Sequence, residues 1–125
     1  MRPPCFSILF LLLLPAVLAG CGDSSSAYRE AVQVCQDINT SLDAVKTPQD
    51  VTLEMHKLLA LATRSREIAG RIEKLVAKDP DGALEQAMSV SEELWNLSQK
   101  IEANRQRLLA SPELAVPLAS VLNEL

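Results

Sequence analysis

Apolar side chains recur at alternating intervals of three and four residues along three stretches of the chain, the pattern of a packed helical seam. The seam positions of the first stretch are Tyr28, Ala31, Cys35, Ile38, Leu42 and Val45. Those of the second are Val51, Met55, Leu58, Ala62, Ser65, Ala69, Ile72 and Val76, flanked by Leu61, Ile68 and Leu75. Those of the third are Leu84, Ala87, Ser91, Leu94, Ser98, Ile101, Arg105 and Leu108, bordered by Met88 and Trp95. We therefore predict three helices packed side by side.

The helix starts share one local sequence type, a capping side chain followed by proline: Thr47 with Pro48, Asp79 with Pro80, and Ser111 with Pro112. Proline suits the first helical position because its missing N–H would have no partner there, and Thr, Asp and Ser can accept from the free amides. Asp50, three residues after Thr47, favours a capping box. With turns at Thr47 and Asp79, the chain is predicted to be all-α, an antiparallel three-helix bundle with a short C-terminal helix.

The C-terminal segment is expected to differ from a single regular helix. Pro117 would lie too deep in a helix that starts at Pro112, so we expect a turn from Ser111 to Val116 and then a short helix. Its apolar row, which would close the open end of the bundle, is Leu118, Val121, Leu122 and Leu125.

Two details of the long helices are also predicted. Gly70 should lie on an outer face, and the Trp95 indole should fill the space left by neighbouring serines.

The first twenty residues have the three zones of a secretory leader. Met1 and Arg2 give a cationic start, and an apolar stretch follows and ends in small residues. From Cys5 to Ala19 there are only 15 residues, whereas a membrane-spanning helix needs about 20. The sequence therefore favours export with removal of the leader over a permanent membrane span.

The leader ends in Leu18, Ala19, Gly20 and Cys21, which resembles the lipobox of bacterial lipoproteins. The resemblance covers about the first 22 residues and implies that the Cys21 thiol takes a diacylglycerol thioether and that a dedicated peptidase cuts before it. Two or three acyl chains make a lasting anchor, whereas one would be marginal. The alternative is an ordinary secretory cleavage after Ala19, with a coincidental cysteine nearby.

This interpretation divides the chain into a lipoprotein signal peptide (1–20), a lipidated cysteine with a short tether (21–26) and a helical bundle domain (27–125). The protein is expected to face the periplasm or the cell exterior. Gly22 occupies the position where enterobacteria often place aspartate to retain a lipoprotein in the inner membrane. The outer membrane is therefore preferred over the inner one, although Asp23 weakens that preference.

Charge and composition narrow the function classes. The chain has 12 basic and 16 acidic residues, and the leader removes only Arg2, which leaves 11 against 16 and a formal net charge of −5. That sign argues against nucleic acid and against general adhesion to anionic lipid. Aromatic residues are 3% of the chain, too few for base-stacking platforms. We expect no cofactor, no nucleic-acid partner and no small-molecule substrate.

Cysteine and histidine offer little chemistry. Once the leader is removed and Cys21 is acylated, Cys35 is the remaining cysteine, so an intrachain disulfide is not expected. Its position in the apolar row favours packing in the core, with pairing between chains as the alternative. His56 is the one histidine, and without a ligand set around it we expect a partly exposed helical residue and no metal site. No motif predicts a catalytic residue, and the protein is not expected to be an enzyme.

One surface pattern stands out on the second helix. Lys57, Arg64, Arg71 and Lys78 recur at intervals of seven, so they form one row beside its apolar face. We call this set the basic row. The first interpretation is that it pairs with acids of a neighbouring helix, such as Glu85, Glu92 or Glu93, and stays solvated. The second is a docking strip for lipid phosphates, an acidic envelope polymer or a partner protein.

The mature region resembles small helical lipoproteins and secreted proteins of planctomycete-type bacteria. The resemblance rests on Leu42 to Lys46, on the long amphipathic helix pair and on the turn Ala110, Ser111, Pro112, Glu113 and Leu114. It implies no specific activity. We expect a lipid-anchored, noncatalytic interaction or structural protein of the envelope, with a protein or envelope polymer as partner. The alternative is a periplasmic holdase or stress-adaptor that exposes an apolar groove of the bundle.

Overall fold

The computed structural model describes residues 24–125, and side chains from residue 27 onward. Four helices follow one another: α1 (Ser24–Ala44), α2 (Pro48–Lys78), α3 (Pro80–Leu109) and α4 (Pro112–Glu124). Within these residues there is no strand, which confirms the all-α three-helix bundle with a short C-terminal helix. None of the described helices combines the length and the apolar character that crossing a bilayer requires. The expected signal peptide and Cys21 lie outside the described residues.

The tether is shorter than expected from the sequence. Helix α1 begins at Ser24, so the last three residues of the predicted 21–26 segment are helical. The seam predicted for α1 is confirmed, because each of its positions is buried: Tyr28, Ala31, Cys35, Ile38, Leu42 and Val45. Helix α1 packs against both α2 and α3 more extensively than those two pack against each other. The shortest of the three bundle helices is therefore the one that holds the bundle together.

Two of the three predicted caps are present. The Thr47 hydroxyl accepts from the Asp50 amide (3.4 Å), and the Asp50 carboxylate accepts from the Thr47 amide (2.9 Å), which completes the capping box. Hydrogen bonds from the Lys46 and Thr47 amides lower the pKa of the Asp50 carboxyl. Asp79 accepts from the Gly82 amide (3.1 Å). Ser111 makes no side-chain cap, which corrects that expectation.

The buried face of α2 agrees with the sequence prediction, whereas the buried face of α3 is rotated about the helix axis relative to the predicted seam. In α2 the buried positions are Val51, Leu58, Ala62, Ser65, Ile68 and Ile72. In α3 the expected seam residue Leu84 and the border residues Met88 and Trp95 are 37%, 69% and 51% exposed. The row that is buried instead is Ala83, Val90, Leu97 and Asn104. This row turns toward α1, with which α3 makes its most extensive contact.

The rotation of α3 also corrects the expected environment of the tryptophan. The Trp95 indole does not fill space beside Ser91 and Ser98. Those hydroxyls donate to backbone carbonyls of their own helix, Ser91 to Met88 (3.1 Å) and Ser98 to Trp95 (2.8 Å). The predicted seam residue Arg105 is half-buried and pairs with Glu102 along the same helix (3.3 Å).

Helix α4 begins at Pro112 and continues through Pro117, so the expected turn from Ser111 to Val116 is wrong. Pro117 removes one internal amide donor, and its would-be acceptor, the carbonyl of exposed Glu113, lies in the solvated first turn. The predicted apolar row is confirmed as buried: Leu118, Val121, Leu122 and Leu125. It packs against α2 and α3, and Glu124 pairs with Arg66 in the body of α2. Helix α4 therefore lies along the bundle and does not close its end.

Candidate functional site

The centre of the basic row is bound to α1. Glu30 of α1 accepts hydrogen bonds from Arg64 (2.9 Å, to Oε1) and Arg71 (2.5 Å, to Oε2). One carboxylate therefore bridges two arginines that are one heptad apart on α2. The arginine side chains are 55% and 49% exposed, so they stay accessible from solvent while paired.

The prediction that Glu85, Glu92 or Glu93 pairs with the basic row is wrong. Neither Glu85 nor Glu92 forms a salt bridge among the described residues, and Glu93 faces α1 instead of α2. Its carboxylate lies 3.8 Å from Arg29 and accepts from Gln36 (3.3 Å). Sequence reasoning missed Glu30, although its position one turn from buried Ala27 on α1 could have drawn attention to it.

The ends of the basic row are less constrained than its centre. Lys57 pairs along α2 with Glu54 (3.6 Å), and the same carboxylate accepts from Ser41 of α1 (2.5 Å). Lys78 lies in the last turn of α2, where a cation is favoured by the helix dipole. Three of the four cations therefore pair with a carboxylate, and Asp37 of α1 lines a shallow depression together with Lys57.

A second polar cluster joins α1 to α3. Asn104 is 9% exposed, and its side-chain amide donates to Asn39 (2.8 Å) and to Asp43 (2.7 Å). The cluster was not predicted. Asn104 follows Leu97 and Val90 at intervals of seven, and this polar residue in an apolar row is the signal that could have found it.

Arg107 completes this cluster by capping the C-terminus of α1. Its guanidinium donates to the backbone carbonyls of Leu42 (2.8 Å) and Val45 (2.9 Å) at the end of α1, and the Leu42 carbonyl also accepts from the Val45 amide (3.1 Å). Arg107 lines an open depression together with Asn39, Asp43, Lys100 and Asn104. Because the donors already serve the helix end, the arrangement acts as a clamp between helices, and it does not resemble a ligand pocket.

Groups with potential chemistry lie apart from one another. Cys35 is fully buried, as its place in the seam predicts, and His56 is exposed on α2. The described part of the chain holds no group of three His, Cys, Asp or Glu side chains that could bind a metal ion. The Tyr28 hydroxyl is buried, with no hydrogen-bond partner among the described residues, and burial raises its pKa.

Three large apolar side chains share one exposed side of α3. Leu84, Met88 and Trp95 are separated by four and seven residues, a spacing that places them on the same side of a helix. We call them the α3 apolar face. The remaining large exposed apolar residues of the described chain are Leu53, Leu59, Leu109 and Val116.

No family model, curated protein or solved structure matches this chain. The predicted lipid attachment at Cys21 and the lipobox residues Leu18, Ala19 and Gly20 lie outside the described residues.

Proposed function

We propose that this protein is a lipid-anchored, noncatalytic module of the bacterial cell envelope. Acyl chains on Cys21 hold it to a membrane, and one face of the helical bundle contacts a protein or an envelope polymer. The observation that carries the proposal is the position of α1, which starts at Ser24, three residues after the lipobox cysteine. A folded bundle that begins so close to Cys21 is suited to a role at the membrane surface.

The closed core supports an interaction module over a holdase. Holding unfolded clients by an apolar groove requires large apolar side chains along an opening into the bundle. The apolar residues at the centre of this bundle are shielded instead, and Ile38, Leu58, Ile72, Leu108 and Leu118 are each fully buried.

The anchor is tested on protein purified from bacterial membranes. We expect mass spectrometry to find diacylglycerol and acyl chains on an N-terminal Cys21, and detergent phase separation to recover the protein in the detergent phase. Cys21→Ser should move it to the aqueous phase, whereas Cys5→Ser, within the leader, should leave it anchored. An unmodified Cys21 thiol in a wholly aqueous protein would refute the anchor.

The basic row is the surface with which we propose that an anionic partner associates. Crosslinking in native membranes is compared between Arg64→Glu/Arg71→Glu and Glu30→Gln. The first change reverses the charge of the row, and the second frees both arginines while keeping them. We expect the first to abolish the crosslinked species and the second to retain it, with Lys74→Glu on the same helix as the control.

Stability measurements separate docking from a purely structural role. If both variants lower the free energy of unfolding and both retain the crosslinked species, the row serves only to join α1 to α2. Exposed pairs of this kind each contribute about 0.2–1 kcal/mol, so the structural effect should be small. Persistence of crosslinking after charge reversal would contradict the docking proposal.

A further inference from the structure

The register of the helices shows which end of the bundle lies near the anchor. Helices α1 and α3 run in the same direction, because Glu93 contacts Arg29 and Gln36 while Asn104 contacts Asn39 and Asp43. Each α3 residue is therefore level with the α1 residue about sixty positions earlier. Extended along both helices, this register places the start of α1 between Leu84 and Met88.

The turn between α2 and α3 projects beyond the start of α1. Helix α3 begins at Pro80, some six residues before the level of Ser24. At 1.5 Å per residue this is roughly 9 Å of additional bundle. The turn at Asp79 and the first turns of α3 therefore extend past the point where the chain leaves toward Cys21.

The covalent distance from Cys21 to Ser24 is short. Three residues span at most roughly 11 Å when fully extended. A Cys21 held by acyl chains at a bilayer surface cannot keep the bundle clear of that surface, because the projecting turn uses most of this reach. The end that carries Leu84 and Met88 must touch the membrane.

We propose that the α3 apolar face lies in the interfacial layer of the same bilayer that holds the anchor. This inference rests on the proposed lipidation of Cys21. Next to the forced contact, within the first three turns of α3, Leu84 and Met88 are large and exposed. Trp95 lies on the same side of α3 two turns further on, so the three side chains reach the bilayer when α3 lies along its surface. Leucine, methionine and tryptophan are suited to the boundary between headgroups and acyl chains.

The charges around this face favour a zwitterionic surface. Asp81, Glu85 and Glu92 are exposed on the same helix, and an anionic headgroup would be repelled by them. Burial of apolar area therefore drives the contact, and added salt should leave it nearly unchanged. The α3 apolar face is a better surface for the bilayer than the basic row is, because the row lies at the border of α1 and α2.

The test uses Trp95, the only tryptophan of the chain, as the probe. The lipidated full-length protein is reconstituted in phosphatidylcholine vesicles and compared with the Cys21→Ser protein free in solution. We expect quenching by aqueous acrylamide to fall about threefold in the vesicles, as for an indole in the interfacial layer. Lipids brominated near the headgroup end of their acyl chains should quench the same emission.

Matched variants connect the signal to this face. Leu84→Ser/Met88→Ser should restore acrylamide quenching and remove most of the quenching by brominated lipid. Both side chains are exposed, so the bundle should remain folded, which circular dichroism would check. Leu53→Ser changes an exposed leucine near the start of α2, at the end of the bundle away from the anchor. It should leave quenching by acrylamide and by brominated lipid as in the unmodified sequence.

The outcomes separate this inference from the anchor on which it rests. Protein that fails to float with vesicles and carries no acyl chains overturns both proposals. Protein that floats while Trp95 stays fully open to acrylamide overturns the membrane contact and leaves the anchor standing. Protection from acrylamide without quenching by brominated lipid overturns it too, because a second copy or another protein would then cover the face.

Discussion

Replacing Asn104 with alanine tests the clamp between α1 and α3. The change deletes the amide that donates to Asn39 (2.8 Å) and to Asp43 (2.7 Å), and the acceptor for Arg107 (3.4 Å). Asn104 is 9% exposed, so the bonds form at the edge of the core, where water replaces them poorly. Loss of these hydrogen bonds should weaken the packing of α3 against α1 and lower the free energy of unfolding.

The expected loss follows from the number and type of these bonds. A neutral hydrogen bond contributes about 0.5–1.5 kcal/mol and one to a charged group about 1.5–3 kcal/mol. The acceptor Asp43 is exposed, so its bond belongs at the low end of that range. Alanine is the better helix former by about 0.5 kcal/mol, which partly offsets the loss. A net destabilisation of about 2 kcal/mol is expected.

Urea unfolding followed by circular dichroism measures this change against a matched control. Asn96→Ala makes the same substitution on the exposed side of α3, where the Asn96 side chain forms no hydrogen bond with the described residues. It should stabilise the protein slightly, through helix propensity alone. Equal unfolding free energies for the two variants would refute the assignment of Asn104 as the clamp.

Three further predictions concern substitutions of single residues. Gly70→Ala should stabilise the protein by about 1 kcal/mol, because a Cβ there meets nothing within 4 Å. Gly82→Ala should destabilise it, because its Cβ would displace the Asp79 carboxylate that caps α3 through the Gly82 amide. Thermal unfolding of both variants measures the contrast. Burial raises the pKa of the Tyr28 hydroxyl, so its contribution to the free energy of unfolding should be fully present below its unfolded pKa and decrease as the pH rises through its folded pKa. Tyr28→Phe should remove this alkaline decrease, which denaturant titrations at several pH values would measure. An unchanged pH profile in the variant would contradict the prediction. Pro117→Ala should stabilise the protein by about 0.5–1 kcal/mol, the low end for a hydrogen bond that water can replace, and calorimetry showing no increase in melting temperature would argue against a cost at this position.

The helices and most of their boundaries could be predicted because the signals are local. Each proline start depends on two adjacent residues, and α2 and α3 begin where these pairs predict, whereas α4 begins at Pro112, inside the segment expected to be a turn. Pro117 misled the prediction because breaking a helix depends on whether the lost bond lies against solvent. That property belongs to the folded surface and is not encoded by the proline alone.

The buried side of α3 could not be predicted because two rows flank the same central line of Ala87, Leu94, Ile101 and Leu108. On one side are Leu84, Met88 and Trp95, and on the other Ala83, Val90 and Leu97. The first row is at least as hydrophobic as the second. Which of them is buried depends on the side from which α1 approaches, and periodicity within one helix does not contain that information.

The basic row illustrates the same limit for charges. Its seven-residue spacing correctly places Lys57, Arg64, Arg71 and Lys78 in one line along α2, but the acids predicted to pair with it lie on α3. Glu30 takes that role because α1 packs closely against both long helices. Spacing predicts which side chains share a line, whereas pairing depends on the order of the helices around the core.

The central position of α1 also constrains the order of events during synthesis. Because α2 and α3 make little contact with each other, the α2–α3 hairpin has little to stabilise it alone. Polar contacts between α1 and α3 join residues 61 and 65 positions apart, so these loops close only after nearly the whole chain has been made. A fragment of residues 46–110, which holds α2 and α3 without α1, should accordingly show no cooperative melting transition.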